Sequence, residues 1–267
     1  MLIAQITDMH VKAEGELLYR RLDTPGYLER AVAHINALDP KPDIVIATGD
    51  LVDGGKGEEY AHLKRLLAPL AMPVYLIPGN HDARDPLREV FADHAYLPRT
   101  GFLHYTIESL PVRLIALDSL LPGKTSGALC AERLDWLEDR LAESDRPTLL
   151  FVHHPPFDCG IAPFDGERLY EGSERLAELV RRHPNVERLM CGHVHRPIQL
   201  RWAGTVASIA PSTAHQATLD LRHKAPFSMM MEPPGLALHL WRPGTGLITH
   251  VSYIGTYAGP HPFHAMQ

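Results

Sequence analysis

Cysteine is scarce in this 267-residue chain, and the three present, Cys130, Cys159 and Cys191, lie far apart. There is no CxxC pair, and an odd number of distant thiols argues against a disulfide framework. They read as reduced, mostly buried thiols of a reducing compartment. No apolar run is long enough to span a bilayer. Residues 1–10 have no basic region and reach Asp8 almost at once, so they do not read as a signal peptide. A cytoplasmic protein without a membrane partner is expected. Basic runs are missing too: the formal net charge is −6, and no positive stripe is present to hold long nucleic acid. A small phosphate-bearing substrate stays open, because bound cations would reverse the potential of an acidic pocket. There is no internal repeat and no low-complexity tract.

What the chain does have is apolar residues, 45% of the total, enough for a full core. It also has 17 histidines, several of them just after short apolar runs. Leu2–Ile6 reads as a buried strand running into Thr7-Asp8-Met9-His10. Tyr27, Leu28, Val32, Ile35 and Leu38 recur at helical spacing and mark an amphipathic helix over 26–38, ended by Pro40 and Pro42. Ile44–Ala47 is a second strand, leading into Gly49-Asp50 and Asp53. A helix carrying Tyr60, Leu63, Leu66, Leu67 and Leu70 follows. Val74–Ile77 is a third strand, ending in Pro78-Gly79-Asn80-His81-Asp82, with a further helix near 84–93. Alternation of strand and helix predicts parallel βαβ units.

The pattern then changes. Phe102–Glu108 and Val112–Asp118 are close enough to form an antiparallel pair. A helix with Leu134, Leu137 and Leu141 leads to the strand Leu149–Val152 and to His153-His154. A helix with Leu176, Leu179 and Val180 leads to the strand Val186–Met190 and to Gly192-His193-Val194-His195. Short strands at 198–202, 205–209, 236–241 and 247–254 complete the chain, around a 211–234 stretch containing Met229-Met230-Met231. The expected fold is α/β: two packed sheets with helices outside and a smaller C-terminal insertion.

Five strand ends thus offer donors: Asp8 with His10, Asp50, Asn80 with His81, His153, and His193 with His195. Residues two apart on an extended strand share a face, so Asp8 and His10 can serve one point. Ends of parallel strands converge on one edge, where open α/β folds place their ligands. The mixture of carboxylate, imidazole and amide suits borderline first-row metals such as Mn, Fe, Co and Zn. Seven ligands are too many for one ion and fit two, with Asp50 able to bridge. Two ions roughly 3.5–4 Å apart are the arrangement used for in-line displacement at phosphorus.

In order, Asp8-Met9-His10, Gly49-Asp50, Gly79-Asn80-His81-Asp82, His153 and Gly192-His193-Val194-His195 resemble the signature blocks of the binuclear metallophosphoesterase superfamily. Gly49-Asp50-Leu51-Val52-Asp53, Gly79-Asn80-His81-Asp82 and His153-His154-Pro155-Pro156 resemble most the bacterial class III phosphodiesterases, which act on glycerophosphodiesters and 3′,5′-cyclic nucleotides. Gly54-Gly55 and Asp82 stand where phosphoprotein phosphatases usually have Arg-Gly and Glu. The resemblance implies a four-layer α/β/β/α sandwich over 1–195, a β-rich cap and dimerisation segment over 196–251, and a return to the catalytic domain over 252–267. It implies two ions, Fe, Mn, Zn or Co, the first held by Asp8, His10 and His195 and the second by Asn80, His153 and His193, with Asp50 bridging. A hydroxide between the ions would attack phosphorus in line. His81 would stand beside the substrate and protonate the leaving alkoxide. His154, Asp53 and Asp82 would support the ligands, and a homodimer or higher homo-oligomer is expected.

Tyr19, Arg20 and His215 are candidate substrate contacts, along with Asn80 and His81. Asp118-Ser119 also ends an apolar strand, but reads as a buried hydrogen-bonding element. A phosphomonoesterase or nuclease of the same superfamily is the competing enzyme. A non-catalytic scaffold would be expected to lack ligands, and none is missing.

Overall fold

The computed structural model describes residues 1–263. The first half of the chain alternates strand and helix: β1 Leu2–Ile6, α1 Thr24–Ala37, β2 Ile44–Thr48, α2 Gly57–Leu67, β3 Val74–Ile77 and α3 Arg84–Val90. The second half runs β4 Tyr105–Ile107, β5 Arg113–Leu117, β6 Gly127–Ala128, α4 Ala131–Ala142, β7 Thr148–Val152, α5 Ala162–Asp165, β8 Leu169–Glu171, α6 Ser173–Arg182 and β9 Val186–Cys191. It closes with β10 Ile198–Trp202, β11 Thr205–Ile209, β12 Gln216–Ala217, β13 Met229–Met230, β14 Gly235–Arg242 and β15 Gly246–Tyr253.

Two sheets carry the fold. The first has five strands in the order β15-β14-β1-β2-β3, and the second has six in the order β10-β11-β9-β7-β5-β4. Strands β1, β2 and β3 are parallel, as are β5, β7, β9 and β11. Every residue of β2, β5 and β7 is buried. That is why these strands are continuous apolar runs: parallel strands are covered on both faces. Alternation along the second sheet divides its two faces. Leu114, Ala116, Leu149, Phe151 and Met190 join a core shared with the first sheet and with Leu28, Ile35, Tyr60 and Leu63 of α1 and α2. Their neighbours Ile115, Leu117, Leu150, Val152 and Leu189 pack on Leu134, Leu137, Leu176 and Leu179 of α4 and α6. The α/β class and the antiparallel pair of β4 with β5 follow the sequence reading.

The cap over 196–251 is a correction. Strands β10 and β11 extend the second sheet beyond β9, while β14 pairs antiparallel with β1 and β15 with β14 in the first. Only 211–234, with its two-residue strands β12 and β13, stands outside both sheets. The reason is that short amphipathic strands look alike in an insertion and at a sheet edge. Leu238 pairs with Ala4, and no local pattern records so distant a partner. The expected return over 252–267 therefore begins earlier, at Gly235; residues 264–267 lie outside the described residues.

Candidate metal centre

The carboxyl ends of β1, β2, β3, β7 and β9 meet at one edge of the molecule. Five of the predicted ligands there have left-handed backbone: Asp8 at φ 52°, His10 at 44°, Asp50 at 47°, His193 at 72° and His195 at 54°. Non-glycine residues seldom adopt this region, and such strain persists where the surroundings over-determine it. Here the loops after β1 and β2 are knitted together: Asp8 N donates to Gly49 O at 3.0 Å and His10 N to Asp50 O at 3.0 Å. Gly49, at φ 93°, is required for space as well as for conformation, since a Cβ there would lie 2.5 Å from His153 Nδ1.

Among the described residues three groups of potential ligand atoms gather here: Asp8 with His10, Asp50 and His195, His153 with His154 and His193, and His10 with Asp53 and His81. Asp8, His10, Asp50 and His195 are all buried and offer ligand atoms within 4.8 Å of one another. His195 Nε2 lies 3.4 Å from Asp8 Oδ1 and 3.2 Å from His10 Nε2, which is 3.6 Å from Asp50 Oδ2. On the other side, His153 Nε2 lies 3.2 Å from Asn80 Oδ1 and 3.4 Å from Asp50 Oδ1, and His193 Nδ1 is 3.1 Å from Asn80 Oδ1. Asp50 therefore presents one carboxylate oxygen to each half-site.

The hydrogen bonds around these rings set which nitrogen is free. His153 Nδ1 donates to Thr48 O at 2.7 Å, and His195 Nδ1 donates to His215 O at 3.0 Å. A ring fixed in this way turns its other nitrogen, a lone pair, toward the carboxylates and the amide oxygen. Acceptors then face acceptors, an arrangement that a cation or a proton must bridge. Among the described residues, the ion-pair partners of Asp8 and Asp50 are histidines alone. His193 Nε2 is buried with no hydrogen-bond partner. The donor set fits a pair of cations.

Charge follows the same geometry. Burial pushes the Asp8 carboxyl up to about 6, with His153 opposing and Asp50 adding. Burial also pushes on Asp50, but His153 and then His81 and His10 outweigh it and hold the group well below the usual carboxylate range. Burial lowers His193 and His195 to about 3, so both stay neutral and keep a lone pair at neutral pH. Burial works against the charged His153, yet Asp50 and Asp8 raise it to about 9.

His81 lies on the first half-site's flank, its ring 4.6 Å from His10. Its backbone N donates to Asp50 Oδ1 at 2.9 Å and its Nδ1 to Asp53 O at 2.8 Å. Burial lowers its pKa, but Asp50 and Asp53 more than offset this and raise it to about 10. Lys12 Nζ holds Asp53 Oδ2 at 3.2 Å and Glu59 Oε1 at 3.0 Å. The His215 ring lies tilted beside those of His195 and His10, with centroids 4.6 and 5.6 Å away, and Tyr19 meets His215 edge-on at 6.4 Å. Arg20, next along, is exposed, and no side-chain bond ties it to the centre among the described residues.

The residues expected to support the ligands are held by hydrogen bonds of their own, although the ligand atoms of His154 lie with those of His153 and His193, and those of Asp53 with His10 and His81. Both His154 nitrogens are engaged: Ser119 Oγ donates to Nδ1 at 2.7 Å, and Nε2 donates to Thr125 O at 3.1 Å. Asp82 accepts from the backbone N of Gly79, Leu51 and Val52 and from Tyr60 Oη, clamping the β2 and β3 loops to each other. Asp118 takes two bonds from Arg84 and one each from Leu103 N and Leu120 N. Sequence reasoning missed Lys12, Glu59 and Phe164, whose ring lies 5.9 Å from His193. Glu59 carries a local signal, as the third residue of α2 that accepts from the backbone N of Lys56 at 3.2 Å, whereas Lys12, on a loop, and Phe164, on the short helix α5, are brought in by long-range packing.

The sequence profile of the calcineurin-like phosphoesterase family matches residues 1–197. A probable glycerophosphodiester phosphodiesterase of Arcobacter nitrofigilis is 43% identical over 265 residues, covering 99% of this chain and 97% of its own. A 3′,5′-cyclic adenosine monophosphate phosphodiesterase of Escherichia coli K12 is 30% identical over 216 residues, covering 80% of this chain and 76% of its own. A dimetal phosphatase from Danio rerio shares the fold with a TM-score of 0.68 at 15% identity, over 96% of this chain and 99% of that one. With the donors converging as described and the profile spanning all five motif blocks, the chain belongs to the calcineurin-like phosphoesterase family.

Proposed function

We propose that the protein is a two-metal phosphodiesterase that hydrolyses small diesters, glycerophosphodiesters before 3′,5′-cyclic nucleotides. The observation that carries this is Asp50, buried between two donor sets and offering an oxygen to each. Asp8, His10 and His195 complete one half-site, and Asn80, His153 and His193 the other. Bound first-row cations (Fe, Mn, Zn or Co) supply water activation and neutralisation of phosphoryl charge. Asn80 fixes the second half-site as a neutral oxygen donor. His81, steadied by Asp53, gives its proton to the leaving oxygen as the phosphorus–oxygen bond breaks. Tyr19 and His215 stand on the same flank as candidate substrate contacts, and Arg20 is exposed next to Tyr19. The order of substrates follows the 43% identity to the Arcobacter nitrofigilis protein against 37% to a probable cyclic nucleotide phosphodiesterase of Rhodopseudomonas palustris.

With added Mn²⁺, the purified protein is expected to hydrolyse bis(p-nitrophenyl) phosphate faster than p-nitrophenyl phosphate, and a chelator should abolish both activities. Faster monoester turnover would turn the assignment toward a phosphomonoesterase. Efficient cleavage of long DNA would turn it toward a nuclease, which the charge of −6 does not favour.

The 211–234 excursion is proposed as a dimer contact. Leu219, Met230 and Met231 on it are 58%, 47% and 49% exposed, and apolar exposure of this kind commonly marks an interface. Light scattering at micromolar concentration should give a dimer or larger, and the double variant Met230→Asp with Met231→Asp should give a monomer; a monomeric native protein refutes this. Among the described residues no helix is long and apolar enough to cross a membrane. All three cysteines are free, which supports placing the protein in the cytoplasm.

A further inference from the structure

The two flanks of the centre differ in chemistry. On the first half-site's flank stand His81, His215 and Tyr19. On the second, Phe164 of α5 is 7% exposed and meets the His193 ring edge-on. Phe227, from the 211–234 excursion, lies over Phe164 with ring centroids 5.0 Å apart and a tilt of 34°. It is nevertheless 66% exposed. Leu221 of the same excursion, 68% exposed, comes down beside Gly160, just before α5: a Cβ on that glycine would lie 3.8 Å from Leu221 Cδ2. Two residues of the excursion thus extend an apolar shelf outward from the second half-site, with the Phe227 ring packed at a tilt against Phe164 and most of that residue exposed.

A phosphodiester carries two ester groups, and an in-line displacement treats them differently. The leaving oxygen must face the proton donor, which is His81 on the polar flank. The retained ester lies off the line of attack and needs a place elsewhere. We propose that Phe227, packed against Phe164, forms the subsite for the retained ester group and favours diesters in which that group is aromatic or otherwise apolar. This rests on the phosphodiesterase reading above. A planar ring against the exposed part of Phe227 would gain offset-stacking and apolar burial, whereas a methyl group is too small to cover it. Because Phe227 is mostly exposed, removing it does not empty a core.

The test holds the leaving group constant and varies the retained one. Wild-type protein and Phe227→Ala are compared on p-nitrophenyl phenyl phosphate and methyl p-nitrophenyl phosphate with Mn²⁺. The products phenyl phosphate and methyl phosphate are titrated against both proteins by calorimetry, which reads the shelf without turnover. The phenyl-over-methyl ratio of kcat/KM is expected to fall about tenfold in the variant, a change of ~1.4 kcal/mol, with the methyl substrate nearly unchanged. Phenyl phosphate should lose affinity in parallel, and Phe227→Trp should retain the preference. Equal losses on both substrates, or no change on either, would overturn the subsite. So would loss of the preference only alongside dissociation of an oligomer, which would assign Phe227 to an interface. If neither diester is turned over by the wild type, the phosphodiesterase reading fails, while product binding still decides the shelf.

Discussion

Asp50→Ala is expected to remove bound metal and turnover together. Asp50 turns a separate carboxylate oxygen toward each half-site, Oδ2 at 3.6 Å from His10 Nε2 and Oδ1 at 3.4 Å from His153 Nε2. Its Oδ1 also accepts the His81 backbone N–H at 2.9 Å, so the same group holds the loop after β3. Residues that only support a ligand typically cost about 10–100-fold in affinity or activity when changed. A bridging ligand is engaged by both ions, and its loss should exceed that range. Metal analysis of the dialysed variant should show less than one ion per chain, and activity should fall below detection. A variant that still holds two ions tightly would reject the bridging role. Asp50→Asn sharpens the result: shape is kept while the charge is lost, so a similar failure would place the requirement on the carboxylate's charge.

The second large effect is expected at His81, where the loss should depend on the substrate. An alkoxide leaves poorly unless it is protonated, whereas a nitrophenolate leaves well unaided. General acid catalysis typically contributes about 10²–10⁴-fold. His81→Ala should therefore slow an alkyl diester such as glycerophosphoethanolamine by about that factor and bis(p-nitrophenyl) phosphate by far less. Metal content should be nearly unchanged, because the ring's Nδ1 is spent on Asp53 rather than on a ligand position. Equal losses on both substrates would show that His81 positions the phosphate instead. Loss of metal would show that it holds the centre together.

Much of this was readable in the chain before any fold was known, because the signals are local. Each donor follows a short apolar run, and each run of that length flanked by Gly, Pro or Asp is a buried strand. The alternation of strand and helix through residue 90 fixes parallel connections, and parallel strands bring their ends to one edge. Asp8, His10, Asp50, Asn80, His153, His193 and His195 could be gathered on that logic. The helices were equally plain, since Leu28, Val32 and Ile35 or Leu134, Leu137 and Leu141 repeat at the helical period.

Contacts between distant segments were not readable. The doubled histidine at 153–154 has one sequence environment and two fates. Thr48 O orients His153 toward the centre, while Ser119 and Thr125 O take up both nitrogens of His154. The C-terminal strands misled for the same reason. A strand's own residues record its period but not its partner, so β14 looked like part of an insertion until it paired with β1. Phe164 and Phe227 lie 63 residues apart and touch only because two excursions fold over the same half-site. The sequence by itself determined which residue types follow the strands and the edge at which they collect, because these depend on residue type and strand direction. Tertiary structure decided which nitrogen of each ring is free, which oxygen of Asp50 faces which half-site, and which aromatic rings border the centre. Those depend on orientation across separate segments, and orientation is fixed only when the two sheets pack.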